Sequence, residues 1–361
     1  MLDFTSALYL GWTHETREAP QDEPLSLGKP AALEEPPGAG ELARQVAQLV
    51  GCEAGIVAPS TLQLFWDLPL IWGRDVEFFA DSEVYPIARW GLERAAIAGS
   101  KVTWFTHHDP ESLARSMAGV RRRPVVVTDG FCPACGSSAP MARYIAAVRR
   151  SGGLLVVDDT QALGVLGAGQ GQGSPYGFGG GGTLRQHGIQ GNDVVAVTSL
   201  AKAFGSPVAC LSSSASIVRD FAERSLTRVH CSPPSTAVIR AGLQALEWNR
   251  RIGDLVRARL AARVREFRAI LRARGWQTQG GCFPVQTIHH PCAQTLYDRL
   301  LSRGIRTVPQ PGTNGGNAAR VSFILTALHT QSQLMQVARA LLNATRESLT
   351  EEGIYERTNA E

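Results

Sequence analysis

The sequence predicts an α/β fold whose functional residues lie at the ends of its strands. Short apolar runs of β type alternate with helical segments along most of the chain, which is typical of a parallel sheet covered by helices. Two of these runs, 154–157 and 194–197, are soon followed by Asp158 and Lys202. Because ligands of such sheets bind beyond the carboxyl ends of the strands, we expect this carboxylate and this amine to hold one small molecule.

The composition is that of an ordinary globular protein with a large core. Hydrophobic residues make up 44% of the 361 residues and charged residues 19%, and the net charge of +4 is too small to indicate nucleic-acid binding. No apolar run reaches the ~20 residues that span a bilayer, and the N-terminus lacks the pattern of a signal peptide. Seven scattered cysteines suit a reducing compartment. We therefore expect a cytoplasmic protein without a membrane or nucleic-acid partner.

Hydrophobic periodicity predicts the elements in order. They are helix 41–50, strand 55–58, a helix opened by residues 59–62, strand 76–80, helix 85–98, strand 102–106, helix 110–117, strand 124–129, helix 144–150, strands 154–157, 194–197 and 207–212, and a long helix 236–273 interrupted near Gly253. Residues 283–342 again alternate between strand and helix, which predicts a small α/β domain.

The segment 154–205 carries a family resemblance. It opens with L-L-V-V-D-D-T-Q-A-L-G and closes with T-S-L-A-K-A-F-G. This order resembles the fold-type I enzymes that use pyridoxal 5'-phosphate (PLP), and among them the α-oxoamine synthases, which include 8-amino-7-oxononanoate synthase and glycine C-acetyltransferase. The likeness runs from the opening L-D-F-T-S-A-L-Y-L-G to A-A-R-V-S-F-I-L-T-A-L-H-T, which begins at Ala318, and so covers nearly the whole chain.

The resemblance implies the PLP-dependent transferase fold of type I, as in aspartate aminotransferase. A large domain with a mostly parallel seven-stranded sheet would then be joined to a small α/β C-terminal domain. We expect an N-terminal segment, 1–40, that packs with the small domain, a PLP-binding domain over 41–235, and a linking helix with the small domain over 236–361. The resemblance also implies a homodimer with its active site at the subunit interface.

Three residues take catalytic roles by this resemblance. Lys202 would form a Schiff base with the cofactor aldehyde, and burial would lower its pKa so that it can act as nucleophile and base. Asp158 would keep the pyridine nitrogen protonated, so that the ring withdraws electrons from the α-carbon of the substrate. Gln161, three residues further on, would hydrogen-bond the phenolic oxygen.

The other expected cofactor contacts are hydroxyl groups around the phosphate and one aromatic ring. The turn 59–62 opens a helix and offers free N–H groups to an anion, although an ordinary helix cap explains it equally well. Tyr85 stands where the family stacks a ring on the pyridine, although a core or interface tyrosine is the alternative. The further cofactor-binding residues predicted are Ser60, Thr61, Leu62, Ser199 and, from the neighbouring subunit, Ser232.

The substrate half departs from the α-oxoamine synthases. Gln161 replaces the usual histidine, as in the sugar aminotransferases, and Pro133 replaces a serine that faces the cofactor. The passage T-V-P-Q-P-G-T-N-G-G-N lacks the arginine that holds the carboxylate of the amino acid; Arg306 lies out of register, and Arg320 aligns with a structural position.

Three functions stay open. The first is an acyltransferase that condenses an amino acid with an acyl thioester of CoA or of a carrier protein, usually with decarboxylation; the alternatives are an aminotransferase and a non-catalytic partner subunit.

Several other features give weaker signals. Metal binding by His107, His108 and Asp109 is disfavoured, because adjacent side chains on a strand point to opposite faces, and one Cys132-x-x-Cys135 pair is weak evidence for zinc. The glycine-rich tract 168–191 indicates an inserted flexible loop rather than a dinucleotide-binding turn. The arginines of the long helix form a solvated face or a docking surface for an acidic carrier protein.

Overall fold

A computed structural model of the chain describes residues 1–14, 24–171, 173–310 and 320–358. Its strands, in chain order, are β1 (Leu2–Asp3), β2 (Ala54–Ala58), β3 (Val76–Asp81), β4 (Lys101–Phe105), β5 (Arg123–Asp129), β6 (Phe131–Cys132), β7 (Ser137–Ser138), β8 (Leu154–Asp158), β9 (Val194–Ser199), β10 (Ala209–Ser213), β11 (Val285–His289), β12 (Ile305–Arg306), β13 (Val308–Gln310) and β14 (Arg320–Ile324).

The helices follow the predicted segments closely in the N-terminal half. They are α1 (Ala39–Val50), α2 (Thr61–Trp72), α3 (Pro86–Ile97), α4 (Pro110–Ser116), α5 (Met141–Arg150), α6 (Gly182–Gln186), α7 (Ala215–Arg224), α8 (Leu226–His230), α9 (Thr236–Arg272), α10 (Ala293–Ser302) and α11 (Gln331–Thr358). Among the described residues, no helix is both long enough and apolar enough to cross a membrane.

The predicted seven-stranded, mostly parallel sheet is confirmed. Its strand order is β2-β10-β9-β8-β5-β3-β4, and only β10 runs antiparallel to its two neighbours. The central strands β5 and β8 are buried along most of their length, with the apolar runs 125–127 and 154–157, as expected for strands that helices cover on both faces. Their polar ends are therefore the positions at which the sheet meets a ligand.

The described chain forms two compact units. The larger contains residues 12–132 and 138–254, and the smaller contains 1–11, 133–137 and the described part of 255–361. The predicted divisions after residues 40 and 235 therefore differ from those of the structure.

The smaller unit is built on a three-stranded antiparallel sheet, β11-β14-β13. The N-terminal strand β1 pairs in parallel with β12 of the same unit. Next to it, the ring of Phe4 lies 6.3 Å from that of Phe267 and 6.0 Å from that of Phe323. The first 11 residues thus contribute to this core through a strand and a buried ring.

The structure corrects the prediction that the long helix is interrupted. Helix α9 runs without a break from Thr236 to Arg272. Gly253 lies within it and is buried. A single glycine costs only about 1 kcal/mol in a helix, and the packing of the helix outweighs that cost.

The glycine-rich tract is more regular than a flexible loop. Leu163 bridges Gly181 and Ala168 bridges Phe178 in antiparallel fashion, and α6 follows directly. Glycine is required at Gly177, where φ is 73° and an added Cβ would lie 2.3 Å from the carbonyl oxygen of Gly167. The many glycines here allow two backbone segments to approach closely.

Candidate active site

Four parallel strands of the large sheet end at one edge in polar residues. These are Asp81 of β3, Asp129 of β5, Asp158 of β8 and Ser199 of β9. The lysine predicted to be catalytic follows β9 in a turn, in which the N–H of Gly205 donates to the carbonyl of Lys202 at 3.3 Å. The charges of Lys202 and Asp158 interact. The fold thus brings together an amine and a carboxylate that are 44 positions apart in the sequence.

Asp158 is a buried carboxylate, 7% exposed. It accepts a hydrogen bond from the backbone N–H of Thr160 at 3.0 Å. Burial raises the pKa of Asp158, and the bonds from Thr160 and the charge of Lys202 only partly oppose this effect. A protonated N–H group placed against this carboxylate would therefore be strongly held.

Asp129 is a second carboxylate at the same edge, and it is the Cα partner of Asp158 across the parallel pair β5–β8. Both of its carboxyl oxygens accept the backbone N–H of Tyr85, at 3.1 and 3.3 Å. Burial and then the charge of Asp158 raise its pKa well above the ordinary value. Asp129 therefore fixes the start of α3 and adds negative potential beside Asp158.

Lys202 is half-buried, and its charge interacts with those of both acids. Burial lowers the pKa of its amine, while the charges of Asp158 and Asp129 act in the opposite direction. Desolvation disfavours the ammonium form, so that more of the amine is available as a nucleophile or base than in a free lysine.

The neighbouring Asp159 has a structural role. It is fully buried and accepts two hydrogen bonds from Thr183, from the backbone N–H and from Oγ1, each at 2.7 Å. Burial raises its pKa to about 7, and the bonds from Thr183 reduce this effect. Asp159 thus holds the first turn of α6 against the end of β8.

The predicted phosphate turn lies at the start of the 12-residue helix α2. Ser60 is the N-cap residue, and its side chain makes no capping hydrogen bond. Thr61 is 8% exposed and Leu62 is 38% exposed. The first N–H groups of a helix have no intrahelical acceptor, so this end provides donors for an anion.

Three of the predicted residues lie at or just after the strand ends that carry the acids, or bond to them through the backbone. Tyr85 is the N-cap of α3 and is 53% exposed, while Gln161 is half-buried beyond β8. Ser199 Oγ accepts a hydrogen bond from the N–H of Ala201 at 3.3 Å.

Ser232 is exposed. It lines a small cleft together with Ala58 and Pro59, the residues that precede the phosphate turn. Its predicted contact is to a neighbouring subunit and stays a prediction.

A further cluster lies at the ends of β3 and β4. Asp81 accepts His107 Nδ1 at 2.7 Å and the N–H of His108 at 3.0 Å. Potential metal-binding atoms of these three residues lie within 4.8 Å of one another. His107 and His108 were expected to point to opposite faces of a strand, and this is wrong, because both lie in a turn, their rings stack at 3.8 Å, and φ of His108 is +54°.

Asp129 and Asp81 each end an apolar strand, as Asp158 does, but no role was predicted for them. That shared signal could have found them; the hydrogen bond between Asp129 and Tyr85 could not be foreseen. Arg320 begins β14 and donates to the carbonyl of Ala134 at 3.2 Å. Of the passage without arginine, residues 311–317 lie outside the described residues.

Known proteins resemble this chain along most of its length. The family model for aminotransferase class I and II matches residues 16–341. An 8-amino-7-oxononanoate synthase from Pseudomonas paraeruginosa is 29% identical over 255 residues, which are 69% of this chain and 61% of that protein. The chain therefore spans about three fifths of the length of that relative.

Two solved structures share the fold. Serine palmitoyltransferase from S. paucimobilis, with a bound PLP-myriocin aldimine, has a TM-score of 0.83 at 15% identity, over 96% of this chain and 87% of that one. An 8-amino-7-oxononanoate synthase from Francisella tularensis has a TM-score of 0.73 at 18% identity, over 96% and 98% of the two chains.

These likenesses confirm the predicted fold, that of the type I PLP-dependent transferases, and the resemblance to α-oxoamine synthases. The family model extends over far more than half of the sequence. The chain belongs to the aminotransferase class I and II family.

Proposed function

We propose that the chain binds PLP and is a transferase that condenses an amino acid with an acyl thioester. The observation that carries this proposal is the placement of Lys202 and Asp158, an amine of lowered pKa and a buried carboxylate, at the carboxyl ends of two adjacent parallel strands. The names of the relatives, 8-amino-7-oxononanoate synthase and serine palmitoyltransferase, support the same reaction class.

The donors and acceptors present fit PLP. Asp158 needs a protonated partner, which the pyridine nitrogen would supply. The open first turn of α2, with Ser60, Thr61 and Leu62, suits the phosphate. When bound, PLP supplies an aldehyde that joins an amine and a ring that withdraws electrons from the α-carbon of the substrate.

Each residue has a distinct task in this proposal. Lys202 Nζ would hold the cofactor and would then take or return the proton at the α-carbon. Asp158 would hold the proton on the ring nitrogen, and Gln161 would bond the phenolic oxygen. Tyr85 would offer its ring to the pyridine from the start of α3, where Asp129 fixes its backbone. Ser199 would add a hydroxyl for the phosphate at the end of β9.

We also propose a homodimer, in which Ser232 reaches the phosphate of the partner subunit. Large apolar side chains at α2 and α3 support this, because Leu62, Trp66, Tyr85 and Trp90 are all between 38% and 53% exposed. Light scattering with size-exclusion chromatography would read twice the 38.8 kDa chain mass if the proposal is right. The distribution of cysteines supports action in the cytoplasm.

Gln161 favours one alternative, an aminotransferase, since glutamine at this position resembles that class. The deciding experiment incubates the PLP-loaded protein with a panel of amino acids and acyl thioesters, and measures free thiol and the form of the cofactor. Thiol release that requires the amino acid supports acyl transfer. Conversion of the cofactor to pyridoxamine phosphate without thiol release supports the aminotransferase and overturns acyl transfer. Full activity in Lys202→Ala would overturn both.

A further inference from the structure

The second half of α9 carries an unusual concentration of positive charge. Residues 255–275 include seven arginines and one acidic residue, Glu266. The net charge of this stretch therefore exceeds the +4 of the whole chain. Glu266 is paired with Arg263 at 2.7 Å, so it does not neutralise the rest. A field of one sign on one surface attracts a partner of opposite charge.

Three of these arginines lie on one face of the helix. Arg265, Arg268 and Arg272 fall within an arc of about 60° and span about 10 Å of the helix axis, from the helical repeat and rise. Arg265 and Arg272 are exposed. Within the described part of the chain, neither has an ion-pair or hydrogen-bond partner, while Arg268 donates to the carbonyl of Gly281. Two strong, unpaired donor groups thus point away from the core.

This face forms one wall of a groove of about 710 Å³, the basic groove. The opposite wall is the segment from Trp276 to Cys282. The exposed Ala269 adds apolar surface, and the half-buried ring of Trp276 is held 5.8 Å from the ring of His290. The basic groove therefore combines an apolar floor with a row of cations, which is the composition of a protein-binding surface with aromatic and arginine contacts.

We propose that the basic groove binds an acidic helix of a carrier protein that presents the acyl thioester. This inference rests on the proposed acyl transfer. It predicts that the acyl donor is a carrier protein rather than free CoA. The row of cations along about 10 Å of helix matches carboxylates spaced along a partner helix. The diphosphate of CoA is compact, so a site for it would instead place its hydrogen-bond donors around one point. The open shape of the groove suits a helix laid along it.

The test compares two donors that carry the same acyl chain, one on an acyl carrier protein and one on CoA. The variant is R265E/R268E/R272E, and the matched control is R259E, an exposed arginine about 120° away on the same helix. We expect kcat/KM for the carrier-bound donor to fall by about tenfold or more in the triple variant. It should be unchanged for the CoA donor, and R259E should leave both unchanged. Equal losses with both donors, or no loss with either, overturn the proposal.

A binding measurement separates this inference from the proposed function. Anisotropy of a fluorescent acyl carrier protein, titrated with the PLP-loaded protein, needs no turnover. Binding that weakens in 0.5 M salt and in the triple variant supports carrier-protein binding at the basic groove. This holds even if neither donor reacts, because a lack of reaction would count against the proposed acyl transfer and not against the groove. Absence of binding to the unsubstituted protein overturns the groove, as does equally tight, arginine-dependent binding of a DNA duplex or of phosphatidylglycerol vesicles. Circular dichroism of the triple variant controls for folding.

Discussion

Asp129 and Asp158 are direct partners on the parallel strands β5 and β8, so that two carboxylates end side by side beside the amine of Lys202. Two like charges on neighbouring strands are unfavourable unless a cation or a proton lies between them. Acidic groups with strongly raised pKa values of this kind cluster at functional sites. The pair therefore sets the electrostatics of the proposed cofactor site.

Removing the charge of Asp129 should lower the pKa of Lys202 further. In Asp129→Asn the amide oxygen can still accept the N–H of Tyr85, but the negative charge that raises the pKa of Lys202 is lost. The pH midpoint for attachment of PLP to Lys202, trapped with borohydride and quantified by peptide mass spectrometry, should move down by up to about 1 pH unit. Asp193→Asn, at an exposed pair with Arg149, is the control. A midpoint that stays or rises contradicts this account.

Asp159 should make stability depend on pH. Its pKa is raised to about 7, so the folded state binds the proton more tightly than the unfolded chain. The stabilisation is fully present below the ordinary carboxyl pKa and is lost as the pH rises through about 7. When the pH is raised from 5 to 8, the free energy of unfolding in urea should fall by about 2 kcal/mol less in Asp159→Asn than in the unsubstituted protein. Equal losses in the two proteins would remove Asp159 as the cause.

Gly182 should not tolerate a side chain. Its φ is +82°, and an added Cβ would lie 1.9 Å from Oδ2 of Asp159. Gly182→Ala is expected to cost about 2–4 kcal/mol, from strain and from displacement of the carboxylate. Gly188→Ala has a similar φ of +63° but open space around it, and should cost only about 1–2 kcal/mol. Chemical denaturation of both variants measures the difference, and equal losses would show that the contact with Asp159 is unimportant.

Asp67 should be important for anchoring α8. This buried carboxylate, 2% exposed, accepts bonds from Ser225 Oγ at 2.6 Å and from the N–H and Oγ1 of Thr227 at 2.8 and 2.7 Å. Asp67→Ala leaves these donors unsatisfied and should cost about 2–4 kcal/mol. Asp67→Asn keeps one acceptor oxygen and should cost less. Thermal unfolding of the two variants in one buffer checks the order; the reverse order would contradict it.

The sheet and most helices could be predicted from the sequence because their signals are local. Apolar runs marked β8, which ends at Asp158, and β9, which Lys202 follows after a short turn. The continuity of α9 through Gly253 could not be predicted, because helix packing outweighs the local cost of one glycine. Nor could the stacking of His107 on His108, which depends on a backbone with positive φ.

Long-range contacts within the candidate site were also beyond the sequence. The bond from Tyr85 to Asp129 joins residues 44 positions apart, and that from Thr183 to Asp159 joins residues 24 apart. Neither leaves a periodic or compositional trace. The acids themselves did leave one, because Asp81 and Asp129 end apolar strands in the same way as Asp158.

The central claim is that Lys202 is the residue to which PLP attaches. The most direct measurement incubates the protein with PLP, reduces it with borohydride, and maps the modified peptide by mass spectrometry. The account predicts a single stoichiometric phosphopyridoxyl group on Lys202, and none in a folded Lys202→Arg variant. Modification confined to other lysines, or equal labelling in that variant, would contradict it.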